Sequence, residues 1–125
     1  MTIQSNLYNT GMELLKELHG GHAGEQIINQ LQDICPDYAT MTIEWAFGSI
    51  LSRSGLDIKT RELAIIASCV TMGNTVPQLL AHIEAALNVG ATKQEIIEVI
   101  LQTALYAGFP ATTNALLQAK PLLMN

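Results

Sequence analysis

Apolar residues recur along this chain at three- and four-residue spacing, and Gly or Pro falls between the runs, which is the punctuation of a helical bundle. The pattern predicts a first helix from Ser5 to Leu18 that ends at Gly20-Gly21, and a second from Gly24 to Ile34 stopped by Pro36. A third runs from Asp37 to Leu51, before the loop that contains Gly55. The fourth begins near Asp57, a good N-cap type, and reaches Met72 before Gly73. Its middle, Leu63 to Val70, is apolar on nearly every side, which predicts a central, buried helix. The fifth opens with Thr75-Val-Pro-Gln78, a capping-box pattern with Pro in the first turn, and ends at Gly90. The sixth opens with a second box, Thr92-Lys-Gln-Glu95, and ends at Gly108, and the last begins around Pro110 and runs into the tail. No run alternates strictly in the manner of a strand. The expected fold is therefore all-α, a single-domain bundle of six to seven helices spanning residues 1–125.

Composition adds one expectation that periodicity does not. The chain of 125 residues is 49% hydrophobic but only 14% charged, against about 25% charged in an ordinary soluble domain. A domain this small has too much surface for its volume to hide all that apolar area alone, so self-association is expected. The net charge is −5 and the six basic residues form no stripe, which argues against nucleic acid as a partner. No apolar stretch approaches a membrane span, and the start of the sequence lacks the charged region, apolar run and cleavage site of a signal peptide, so a cytoplasmic location is expected. The two cysteines, Cys35 and Cys69, are too far apart for a redox pair or half a zinc site, and are read as small core residues.

Few side chains remain that could carry chemistry. His82 falls at the edge of the apolar arc of its helix, beside Leu79 and Ala86, with small neighbours that leave space over the ring. That position suits a core histidine hydrogen-bonded to a neighbour, or a general acid or base facing a pocket. Glu62, read as lying in the first turn of the fourth helix, suits a solvated residue favoured by the helix dipole, or a partly buried acid or base near His82. Arg61 opposes that dipole, which suits a structural pairing with a carboxylate, Glu95 or Glu98, or a role in substrate binding. Arg53, in the preceding loop, is either solvated or a clamp for a substrate carboxylate. His19 and His22 flank a glycine turn with no third ligand nearby and read as loop, so no metal site is expected. Neither a dinucleotide fingerprint, a phosphate loop nor a hydrolase elbow is present, which leaves nucleotide cofactors without a seat.

Several stretches together resemble the carboxymuconolactone decarboxylase family: Phe47-Gly48, Arg53-Ser-Gly-Leu-Asp57, Lys59-Thr-Arg-Glu-Leu63, His82-Ile-Glu-Ala-Ala-Leu-Asn88, Gly90-Ala-Thr-Lys-Gln-Glu95 and Tyr106-Ala-Gly-Phe-Pro110. The resemblance covers nearly the whole chain. It implies an all-α fold of the alkylhydroperoxidase D type, assembled into rings, as a homohexamer or homotrimer, with sites near subunit contacts. It also implies one of two chemistries: decarboxylation of 4-carboxymuconolactone in aromatic catabolism, or peroxide reduction through Cys-x-x-Cys-x-x-x-His. Counting back from His82, the two cysteine positions of the redox motif hold Thr75 and Gln78, which favours the lyase branch.

On that reading Arg53 would position the substrate's anionic group and His82 would donate a proton. Glu62 would set the protonation of His82 or act as an alternative relay, with no cofactor needed. The chain departs from the family pattern at Leu51, Ser54 and Glu84, where the enzymes usually carry Trp, Pro and a basic residue. These departures suit the rival reading of a non-catalytic, ligand-binding oligomer on the same scaffold.

Overall fold

The computed structural model describes residues 5–124, and every regular element among them is helical. The chain divides into two compact units, Met1–Leu56 and Asp57–Asn125.

The first unit begins with α1 (Asn6–His19), which is capped by Ser5: its hydroxyl oxygen accepts the Tyr8 N–H at 3.0 Å. The Ser5 hydroxyl also donates to the Glu44 carboxylate, tying the start of α1 to a later element. α2 (Ala23–Leu31) follows a glycine turn, and α3 (Pro36–Met41) starts with Pro in its first turn. The sequence predicts one continuous helix from Asp37 to Leu51, but after Met41 the winding loosens into a π-helix over Thr42–Ile50. At its end the Leu51 N–H reaches back five residues to the Ala46 carbonyl at 2.9 Å. The buried positions Ala39, Ile43 and Phe47 recur every four residues, wider than the 3.6 of an α-helix. That spacing accommodates the looser winding, so the apolar pattern alone does not distinguish the two.

α1 and the π-helix press together at two glycines. A Cβ on Gly11 would overlap the Ile43 carbonyl oxygen, and one on Gly48 would overlap the Leu7 carbonyl oxygen. The crossing is reciprocal, each helix offering a glycine to the other's backbone, and only the absence of a side chain allows it. Leu15, Leu18, Ala23, Ala39, Ile43 and Phe47 fill the core of this unit.

The second unit holds four helices: α4 (Ile58–Met72), α5 (Val76–Asn88), α6 (Lys93–Gln102) and α7 (Phe109–Leu123). Thr103–Leu105 continue α6 as a tighter 3₁₀ turn. Its core is aliphatic and close-packed, with Ile66, Val70, Leu79, Ile83, Ile96, Ile100 and small residues such as Ala86, Ala115 and Ala119. α4 and α5 form a hairpin whose turn starts at Gly73, in the left-handed conformation that a side chain disfavours.

The two expected capping boxes part company here. At α6 the box forms: Thr92 Oγ1 accepts the Glu95 N–H at 3.0 Å and the Glu95 carboxylate accepts the Thr92 N–H at 2.9 Å. At α5 it does not: the Thr75 hydroxyl donates to the Cys69 carbonyl at 3.1 Å, an acceptor it shares with the Gly73 N–H at 3.2 Å.

The fourth helix is less enclosed than its sequence predicts. Ile66, Cys69 and Val70 are buried, while Ala64 and Ser68 face solvent. Cys69 sits in the core as expected; Cys35 is exposed, placed at the turn that Pro36 forces before α3. No helix among the described residues is long and apolar enough to cross a membrane.

Candidate functional site

The second unit contains one polar pair that its core does not need. Glu62 is the fifth residue of α4, in its second turn rather than its first, four before the buried Ile66 and so on the same face. Its side chain is 0% exposed, and it is the only buried charged residue among those described. This corrects the solvated capping role as one possible reading: the helix begins at Ile58, so Glu62 falls on the inward stripe.

His82 comes from the middle of α5, flanked on its buried face by Leu79, Ile83, Ala85 and Ala86. Its Nδ1 lies 2.6 Å from Glu62 Oε1. With Glu62 ionised the carboxylate only accepts, so Nδ1 carries the hydrogen, and the short distance is that of a charge-assisted bond. The other carboxylate oxygen, Oε2, is buried with no hydrogen-bond partner.

A buried carboxylate with one oxygen unsatisfied costs stability; a hydrocarbon of similar size would pack there at no such cost. The pair therefore asks for a chemical explanation. The imidazole, 17% exposed, is the member that reaches solvent, while the carboxylate is sealed behind it. Such an arrangement can fix the ring's orientation and tautomer, as in a carboxylate–histidine dyad.

The remaining candidates lie elsewhere. Arg53 belongs to the first unit, exposed in the loop after the π-helix, where its backbone N–H donates to the Ile50 carbonyl at 3.2 Å. Of the three residues the sequence proposes for a site, the structure brings Glu62 and His82 together, and Arg53 is not part of that pair. Glu95, one of two carboxylates expected for Arg61, is engaged by Lys59 at 3.0 Å. The Thr92 N–H, and then Lys59, hold the Glu95 carboxyl below the usual carboxylate range.

His19 meets the Phe47 ring edge-on, with centroids 6.0 Å apart, and His22 stands exposed at the start of α2. No group of three or more His, Cys, Asp or Glu among the described residues has the geometry to hold a metal ion.

Sequence reasoning did not single out an apolar groove of about 530 Å³ on the first unit, lined by Tyr38, Met41, Thr42, Trp45 and Ala46. The signal was present: Tyr38, Met41 and Trp45 share one face at helical spacing, and all three are exposed.

Comparison with known proteins places these residues in a wider setting. The sequence model described as the carboxymuconolactone decarboxylase family matches residues 36–121, a range that includes Glu62 and His82. The chain is similar to a 4-carboxymuconolactone decarboxylase of Acinetobacter baylyi, with 34% identity over 113 residues, covering 90% of this chain and 84% of that protein. It is 28% identical over 120 residues to a nitrosuccinic acid decarboxylase of Metarhizium robertsii, covering 92% of this chain and 80% of the relative. An uncharacterised 15.0 kDa protein of Paracoccus denitrificans is 38% identical over 87 residues, 69% of this chain and 65% of its own length.

Proposed function

The chain belongs to the carboxymuconolactone decarboxylase family, and from that premise we propose that it is a cofactor-independent decarboxylase of a small carboxylated lactone or a related activated acid. The two decarboxylases it is similar to are named for acids that share a chemical feature. In a carboxylated butenolide the unsaturated lactone accepts the electron pair released with carbon dioxide. In nitrosuccinic acid a nitro group on the carbon bearing one carboxyl does the same. The electron sink is built into the substrate, so the protein has only to orient the leaving carboxylate, favour the developing oxyanion and deliver a proton to carbon.

The observation that carries this reading is the buried Glu62–His82 pair. His82 Nε2 donates the proton to the carbanionic carbon, and Glu62 holds Nδ1 and balances the charge on the ring. Arg53 is proposed to recognise a carboxylate of the substrate, as the family resemblance implies; Arg53→Gln is then expected to raise KM more than it lowers kcat. The redox alternative lacks its chemistry, because Thr75 and Gln78, at the cysteine positions of that motif, supply no thiolate.

The reading includes self-association, as a homohexamer or homotrimer. It is supported by the low charged content and by Tyr106 and Phe109, which are 99% and 77% exposed in the single chain. The experiment that tests the function is a spectrophotometric assay of 4-carboxymuconolactone and simpler carboxylated lactones, alongside carbon dioxide release from nitrosuccinate. Turnover of any of them supports a lyase. Binding seen by thermal shift with no turnover selects the ligand-binding scaffold, the reading that Leu51, Ser54 and Glu84 favour.

A further inference from the structure

A donor of one proton to carbon must be recharged, and the geometry limits how. Glu62 is sealed from solvent and its side chain's hydrogen-bond partner is the imidazole, whereas the His82 ring is 17% exposed. The ring is therefore the member of the pair through which a proton given to substrate carbon can be replaced from water. An imidazole that protonates a stabilised carbanion also removes the same proton from the product once it is neutral, since the two directions share one transition state. Glu62 favours that reverse step as well: its Oε2 has no partner, so the carboxylate's charge is left to stabilise the imidazolium that forms.

We infer that the protein has a second activity, carbon-acid proton exchange, on small carboxylates whose C–H lies next to a nitro group or within an unsaturated lactone, with no carboxyl group lost. The inference rests on the decarboxylase reading for its substrate class. In the step, neutral Nε2 takes the proton and the C–H electron pair moves onto the nitro or lactone oxygen. The imidazolium exchanges its proton with water, and a solvent hydrogen returns to carbon as the pair moves back. Nothing is oxidised or reduced and no co-reactant is consumed. In a lactone the returning proton has two carbons to choose from, so exchange is accompanied by migration of the double bond.

The test uses the full-length protein in D₂O with 3-nitropropanoate and, separately, the butenolide left by loss of carbon dioxide from 4-carboxymuconolactone. Loss of the C–H signal is followed by proton NMR, and carbon dioxide release from the two parent acids is measured in parallel. The expected result is exchange of at least one probe about 100-fold or more above buffer. It falls to the buffer rate in His82→Asn. In Glu62→Gln it drops by about tenfold or more, and Glu62→Asp recovers part of the loss, a rescue that a merely structural role for Glu62 does not predict.

Carbon dioxide release without exchange of either probe overturns the inference and leaves the decarboxylase reading standing. Exchange without carbon dioxide release supports the inference and overturns decarboxylation of these acids. Absence of both overturns the inference along with that reading.

Discussion

Replacing Glu62 with Met separates what this residue does for chemistry from what it does for the fold. The carboxylate is 0% exposed and accepts the 2.6 Å bond from His82. A hydrogen bond to a charged group contributes about 1.5–3 kcal/mol, and the stranded Oε2 costs about 1–3 kcal/mol, so the two largely cancel. Desolvation of the charge itself is a further cost of several kcal/mol. Met removes all three and fills a similar volume among Ile66, Ile83 and their aliphatic neighbours. The neutral His82 ring that loses its acceptor can carry its hydrogen on Nε2 instead of Nδ1, so no donor is stranded in the space that Met fills.

The expected change in stability of Glu62→Met is between neutral and about 3 kcal/mol stabilising. At roughly 3–6 °C in Tm per kcal/mol for a chain of this size, calorimetry resolves it. Decarboxylase activity of the same variant is expected to fall about 100-fold or more. A Tm lowered by the equivalent of 3 kcal/mol would show Glu62 to be a structural anchor, and unchanged turnover would remove it from the chemistry. Either result refutes the reasoning.

Three further outcomes follow from other parts of the structure. Gly11→Ala and Gly48→Ala each drive a methyl group into a backbone carbonyl oxygen and should cost about 3 kcal/mol or more in urea unfolding; Gly24→Ala, which meets only the flexible Met12 side chain, should cost far less. Glu95 has its carboxyl held below the ordinary value, first by the Thr92 N–H and then by Lys59, so the unfolded chain binds the proton more readily. Its contribution is complete above the unfolded value of about 4.3 and is lost as pH falls through the folded value, and urea midpoints across that acid range should show a shallower fall in Glu95→Gln. Tyr106→Ser and Phe109→Ser, which remove apolar side chains that are exposed in the single chain, should reduce the mass measured by light scattering; an unchanged assembly would show that this corner takes no part in it.

Much of the fold was legible because local signals and packing agree. The Ser5 and Thr92 caps, Pro in the first turns of α5 and α7, and the glycine stops at Gly20 and Gly73 fall where sequence chemistry puts them, whereas α6 ends at Gln102, short of the expected stop at Gly108. The box at Thr75 does not form because a two-residue pattern carries no information on competing acceptors, and the hydroxyl donates to the Cys69 carbonyl. The π-helix was hidden because a repeat of four does not separate two windings. Residue type alone suggests a core position for Cys35, but it says nothing about the turn that Pro36 imposes, where Cys35 is exposed.

At the site, the pairing of Glu62 with His82 was foreseen as one possibility, but not its depth. The clue was the register from Glu62 to Ile66, which puts the carboxylate on the inward stripe; the dipole argument drew attention to the end of the helix instead. The orphaned Oε2 has no sequence signature, since it records which neighbours fail to arrive.

The central claim is that His82, held by Glu62, delivers the proton in a decarboxylation. The most direct measurement is carbon dioxide release from 4-carboxymuconolactone and nitrosuccinate by the unmodified protein and by His82→Ala, with Tm recorded for both. The account predicts turnover of at least one acid by the former and a fall of about 100-fold or more in a variant that remains folded. Equal turnover by a folded His82→Ala protein would contradict it.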